Sequence, residues 1–343
     1  MRPVEVLATW GKILSGRVPM LSIEITRECP LHCPGCYAYN DDHLGGGVKL
    51  RELADRRGDA LVDGVLGLVR RHAPLHVSLV GGEPLVRHRE LSRILPELSR
   101  MGVFSLVVTS AVIPIPMEWM KLPQVRVAVS VDGLPPEHDV RRKPATYERI
   151  LENISGRQVN IHLTITRPMT ERAGYLDEFF RFWSARPEVL RIWVSWYTPQ
   201  VGEESPERIL PEARPRLAAE LVELRRRYPK VLLTDGIARA FTKPPADPAA
   251  CLFAKMSVNY SADFRTRVEP CVYGGAPNCA ECGCAMTAGA EHLADFRLLG
   301  PLRAGHLVRG SIAIGSFVDR FRKEPTRGRR WGGGRLVQIR PTQ

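Results

Sequence analysis

Leu21-Ser22-Ile23-Glu24-Ile25-Thr26, followed after Arg27-Glu28 by Cys29-Pro30-Leu31-His32-Cys33-Pro34-Gly35-Cys36, is the most informative stretch of this chain. Its first half alternates apolar and polar side chains, the period of a strand with one face in a core. Its second half sets three cysteines at C-x3-C-x2-C spacing just beyond that strand's C-terminal end. Working outward, strand patterns recur at 76–80, 104–109, 125–131, 158–166 and 189–197. Helical patterns lie between and after them: a stripe of Leu61, Val65, Leu68 and Val69 behind the loop Gly45-Gly46-Gly47, then segments near 90–100, 116–121, 146–154, 175–185 and 216–228. Such alternation predicts parallel βα units. Right-handed crossovers curl the sheet into a barrel or an open arc of one. Chemistry gathers beyond the C-terminal strand ends of such folds, where the cysteine triplet falls.

The chain has 343 residues, of which 44% are apolar and 25% charged, enough for a sizeable core. No run nears the roughly 20 apolar residues of a membrane span, and the N-terminus has no signal-peptide pattern, which predicts a cytoplasmic protein. The formal charge is +12. That excess suits acidic partners or a well-hydrated surface equally, and so names no partner. Interleaved aromatic and basic residues of the kind that stack bases are missing, which argues against nucleic acid.

Eight cysteines fall into two groups, Cys29, Cys33 and Cys36, then Cys251, Cys271, Cys279, Cys282 and Cys284. Clustering in a chain without a secretion signal points to metal. Three thiolates can hold three irons of a [4Fe–4S] cube and leave the fourth without a protein ligand. Zinc is the alternative at the first group, with His32 or His43 as fourth ligand. It competes at the second as well, where Cys279 and Cys282 have knuckle spacing.

Further segments extend the pattern. Val80-Gly81-Gly82-Glu83-Pro84 follows the second predicted strand, and Ser130-Val131-Asp132-Gly133 ends the fourth, with His138-Asp139 and Arg142 beyond. Over about residues 20–200 the chain resembles the radical S-adenosylmethionine superfamily, in these motifs and in their order. The resemblance implies a partial (β/α)6 TIM-type barrel, a [4Fe–4S] cluster on Cys29, Cys33 and Cys36, and S-adenosylmethionine at its open iron. It implies that Gly81, Gly82 and Glu83 meet the methionine ammonium, that Ser130 contacts the ribose or carboxylate, and that Arg142 contacts the carboxylate. Thr166 is a further candidate for the ribose. The usual aromatic before the third cysteine is replaced by Gly35, which leaves Tyr37 as the candidate beside the adenine.

The second group resembles a SPASM or twitch extension. Five cysteines are too few for two clusters, and one auxiliary [4Fe–4S] cluster fits, with Cys251, Cys271 and two of Cys279, Cys282 and Cys284 as ligands. Cys282 and Cys284, one residue apart, look cramped for joint ligation. The implied organisation is a helical extension over 1–20 (stripe Val4, Leu7, Trp10 and Leu14), a barrel over 21–235, a Cys-rich domain over 236–305 and a basic tail over 306–343. The implied activity is reductive cleavage of S-adenosylmethionine and hydrogen abstraction from a small metabolite, a lipid or a peptide, fed by an electron donor such as flavodoxin or ferredoxin. A non-catalytic zinc or iron–sulfur module and an RNA-modifying radical enzyme are the competing classes.

Overall fold

The computed structural model describes residues 3–321. Helix α1 (Pro3–Leu14) leads into β1 (Met20–Glu24), and α2 (Gly58–His72), β2 (His76–Val80), α3 (His88–Arg100), β3 (Phe104–Thr109) and β4 (Val125–Ser130) follow. Next come α4 (Glu137–Arg142), α5 (Tyr147–Ile154), β5 (Val159–Ile165), α6 (Arg167–Glu171), α7 (Tyr175–Ser184) and β6 (Val189–Trp196). All six predicted strands are present. The 116–121 segment is a 3-10 turn, not an α-helix.

The sheet is parallel throughout, in the order β6-β5-β4-β3-β2-β1-β7. Its seventh strand, β7 (Ser257–Tyr260), pairs with β1 from beyond residue 235, where the sequence shows no alternation. Four residues inside a Cys-, Gly- and Pro-rich segment are too short to display a period. Between β6 and β7 stand α8 (Arg214–Arg227), α9 (Asp235–Thr242) and α10 (Leu252–Met256). After β7 come α11 (Ala285–Ala294), the hairpin β8 (Arg297–Leu299) and β9 (Leu302–Arg303), and α12 (Ala304–Asp319). Residues 304–319, largely within the segment expected as a basic tail, are therefore helical, while 322–343 lie outside the described residues.

Alternation along each strand divides the two faces of the arc. Val77 and Leu79, Val125, Val127 and Val129, and Val159, Ile161, Leu163 and Ile165 turn outward into the helix layer and are buried. Truncating one of these to alanine costs about 2–5 kcal/mol if the site does not collapse. The other face is polar, with Ser22 and Glu24 on β1, Ser130 on β4, Asn160, His162 and Thr164 on β5, Ser195 on β6 and Asn259 on β7. Trp119, Trp183 and Trp196 are among the largest fully buried side chains. α1 packs on α12 rather than over the sheet: Trp10 Nε1 donates to Ser311 Oγ at 2.6 Å. Leu7 and Leu14, expected on a core stripe, are exposed because Trp10 and Ile13 hold the contact side.

Candidate active site

The cysteine loop leaves β1 and is fixed by the strands beside it. Gly82 N–H donates to the Thr26 carbonyl at 2.8 Å and Glu83 N–H to the Glu28 carbonyl at 2.7 Å. Glycine is obligatory in this turn. A Cβ on Gly81, at φ +126°, would lie 2.7 Å from Thr26 O, and one on Gly82 would lie 2.1 Å from Glu28 O. Thr26 Oγ1 and Arg27 N–H both donate to Asp55 Oδ1 at 3.0 Å, and Arg87 grips Asp55 and Glu28 from below. Sequence reasoning missed this Asp55–Arg87 brace, since its members lie 32 residues apart with no motif around them.

Glu83 is tied into the protein itself. Its buried carboxylate accepts from Leu85 N–H, the Thr109 hydroxyl, and both the N–H and hydroxyl of Ser110. Four donors fill the four lone-pair sites of a carboxylate. Glu83 therefore ties the end of β2 to the end of β3. The carbonyls of Gly81 and Gly82 accept no backbone hydrogen bond among the described residues, and they are the open acceptors of this turn.

Opposite them lies an arginine pair. Asp132, just past β4, takes Arg142 Nε at 2.7 Å and Arg141 Nε at 3.0 Å on the same oxygen. Burial alone would raise its carboxyl, but Arg142 and Arg141 outweigh that and hold it at about 2. Arg141 also donates to Pro34 O at 2.9 Å within the cysteine loop and to both oxygens of Glu207. It is thus a brace and not a ligand-facing group. Arg142 spends only its Nε, and its charge acts on Cys33 and Cys36. Asp132 N–H donates to His138 Nδ1 at 3.0 Å, and His138 Nε2 meets Ala145 O at 2.9 Å, which fixes the turn that aims both arginines.

Cys29, Cys33 and Cys36 are unpaired, half-buried thiols. Burial raises all three, Cys29 to about 11, with mutual repulsion adding to the rise. Ser130 and Thr166 sit buried at the ends of β4 and β5, and Thr166 caps α6 without a side-chain bond to it. Between them His162, paired across the sheet with Ser130, has Nε2 2.9 Å from Ser195 Oγ. Burial lowers its imidazole to about 4, so it stands neutral. Its place on the polar face of β5 was visible in the sequence as strand alternation but carried no motif.

Tyr37 packs toward the second cysteine region. Its ring centroid is 5.6 Å from His43 and 5.6 Å, edge-on, from Tyr273 in the second cysteine region. His43 in turn sets Nε2 2.6 Å from Glu24 and Nδ1 2.9 Å from Tyr273 O. Ser261 donates to the second Glu24 oxygen. This buried tie joins β1 to the Cys-rich segment.

The second group lines one cavity. Cys251, Cys271, Cys279, Cys282 and Cys284 border it with Thr198, Phe253, Tyr273 and Thr287. Backbone donors point at sulfur: Ala254 N–H to Cys251 and Cys284 N–H to Cys282, both at 3.4 Å. Burial pushes Cys282 up to about 12 and Cys279 to about 11. Cys251 and Asp247 add to the rise at Cys279. Cys282 and Cys284 both reach the cavity because Gly283 presses against β6, where a Cβ would lie 2.1 Å from Trp196 O. Arg214, stacked 4.9 Å from the Trp196 ring centroid, donates to the carbonyls of Phe241, Glu281 and Cys282 and pins this loop. Among the described residues no group of three or more His, Cys, Asp or Glu forms a site for a single metal ion. The thiols border a shared space, as they would around a cube.

With this geometry in hand, the comparisons are specific. The pattern of the Radical SAM superfamily matches residues 23–167, the stretch that carries all three first-group cysteines, Gly81–Glu83, Ser130, Arg142 and Thr166. Residues 23–167 belong to the radical SAM superfamily. This radical SAM segment implies an enzyme that uses S-adenosylmethionine and a [4Fe–4S] cluster. The whole chain also shares its fold with two solved proteins. Streptococcus suis SuiB bound to S-adenosylmethionine is 16% identical, with 95% of this chain and 79% of that one covered and a TM-score of 0.52. Native anSMEcpe with bound AdoMet is 14% identical, with 87% and 97% covered and a TM-score of 0.51. SuiB bound to its precursor peptide SuiA gives 16% identity over 94% and 77%, at 0.53. No curated protein matches the chain in sequence. Among the described residues no helix is long and apolar enough to cross a membrane.

Proposed function

We propose that this chain cleaves S-adenosylmethionine reductively and uses the resulting 5′-deoxyadenosyl radical to take hydrogen from a substrate C–H bond. The observation that carries it is three half-buried thiols in electrostatic reach of one another, two of them also of Arg142, beyond the C-terminal ends of strands that also carry the open carbonyls of Gly81 and Gly82. Cys29, Cys33 and Cys36 would hold three irons of a [4Fe–4S] cube, and its fourth iron would supply the docking point and the electron. Around it Arg142, with only Nε committed, receives a carboxylate, and the two glycine carbonyls receive an ammonium. Ser130 and Thr166, at the ends of β4 and β5, would meet the ribose in this reading. Asp132 and Arg141 orient Arg142 and the cysteine loop.

The C–H donor enters the polar side of the arc. His162, Thr164 and Ser195 line that side, so the reacting part of the substrate carries polar groups, whether the rest is a metabolite, a lipid or a peptide. The SuiB complex supports a peptide at the level of fold. The second thiol group, with N–H donors aimed at Cys251 and Cys282, fits one auxiliary cluster that passes an electron onward or stiffens the segment. Cys251, Cys271, Cys282 and Cys284 are its ligands in this reading, and Cys279 is the spare.

The test is direct. Protein loaded with iron and sulfide without oxygen and given dithionite should convert S-adenosylmethionine to 5′-deoxyadenosine. A colourless zinc protein with no such product would refute the proposal.

A further inference from the structure

One face of the molecule remains apolar in water for no reason the catalytic site supplies. Helix α12 packs its inner side against α1 so closely that a Cβ on Gly315 would lie 1.9 Å from Ile13 O. That side holds Gly305, Ser311, Ile312, Gly315 and Asp319. The outer side carries an apolar stripe. Ala313, Ile314, Phe317 (61% exposed) and Phe321 (76%) run along it, and the two phenylalanine rings meet at 5.1 Å. An exposed apolar stripe of this size on a surface helix marks a candidate contact face.

The neighbouring hairpin repeats the anomaly. All of residues 296–303 are exposed. Phe296, Leu298 and Leu302 share that stretch with Leu299 (80%), and the Gly300–Pro301 turn sits between Leu299 and Leu302. A two-stranded hairpin this bare gains little from its own pairing. It is joined to α12 directly through β9.

Charge indicates what covers this face. Arg297 and Arg320 are exposed on or beside these elements, together with Arg303 and Arg309, which pair with Asp295 and Glu291, while Asp319 is buried. Residues 322–343, outside the described part, carry seven Lys or Arg against one Glu, together with Trp331. Apolar side chains beside cations suit an interface of hydrocarbon and anionic headgroups. We infer that the hairpin and the outer side of α12 dock on an anionic phospholipid bilayer, as a peripheral contact. The inference is independent of the catalytic proposal.

Flotation of the full, cluster-loaded chain tests it, with vesicles of about 30 mol% phosphatidylglycerol in phosphatidylcholine against phosphatidylcholine alone, at about 0.1 and 0.5 M salt. Binding is expected to the anionic vesicles, weaker by about tenfold or more on the neutral ones and at high salt. Leu299→Asp and Phe317→Asp, on separate elements and both exposed, should each weaken it about tenfold or more while iron content and circular dichroism stay unchanged. Absence of flotation overturns the inference, and so does flotation that both variants leave intact. A concentration-dependent dimer that Phe317→Asp dissolves would overturn it in favour of a second copy of this chain.

Discussion

The two cysteine groups sit on the same sheet, yet their surroundings are opposite in kind. The first lies on a loop beyond β1, half-buried, facing a guanidinium with unspent donors and two glycine carbonyls with unspent acceptors. The second lies around an apolar-walled cavity, where the near groups, Ala254 N–H, Cys284 N–H and Thr287, already address sulfur. A site with spare polar capacity recruits a further molecule. A site whose capacity is turned inward holds what it has.

Variants that damage one group and spare the other sharpen that contrast. The largest effect is expected from Cys33→Ala, which should abolish 5′-deoxyadenosine formation and remove about four irons while leaving the others. Cys271→Ala should remove the complementary four and leave cleavage of the sulfonium measurable. Loss of all iron from either variant would break the distinction. Next come the two glycines that lock each loop. Gly82→Ala drives a Cβ into Glu28 O and Gly283→Ala drives one into Trp196 O. Each should destabilise by about 1–3 kcal/mol in thermal unfolding, with iron lost mainly from its own group.

Arg142→Gln should leave the irons in place and raise the S-adenosylmethionine concentration needed for half-maximal cleavage by about tenfold or more. An unchanged requirement would remove Arg142 from the cofactor's neighbourhood. The smallest effect concerns acid. The Asp132 carboxyl is held at about 2 in the fold against an ordinary value of 3.8. A depressed carboxyl lends stability above its unfolded value and loses it as pH falls through the folded one. The stability gap between wild type and Asp132→Asn, about 2 kcal/mol near neutrality, should therefore close between pH about 4 and about 2.

What the sequence displayed and what it hid follow one physical line. Six strands were legible because each spans five or more residues of alternating or branched apolar side chains. The three first-group cysteines were legible because their ligand geometry is local. Hidden were the interactions joined only by folding. Arg141 reaches Glu207 across 66 residues, and Arg214 reaches Glu281 across 67. The contact of Tyr37 with Tyr273 is another such tie, across more than 200 residues of sequence. Glu83 matches its motif yet spends its carboxylate on β3, a fact invisible until Thr109 and Ser110 are placed beside it. The spacing of Cys282 and Cys284 looked cramped, and only the seat of Gly283 on β6 shows how both thiols turn to one cavity.

The seventh strand carries a consequence for biosynthesis. β1 is made early, but its partner β7 arrives some 237 residues later in synthesis, since Met20 pairs with Ser257. Until then β1 presents one unsatisfied edge, an invitation to wrong partners. A ribosome-bound fragment stopped before Ser257 should bind chaperones and aggregate on release, whereas one extended past Tyr260 should not.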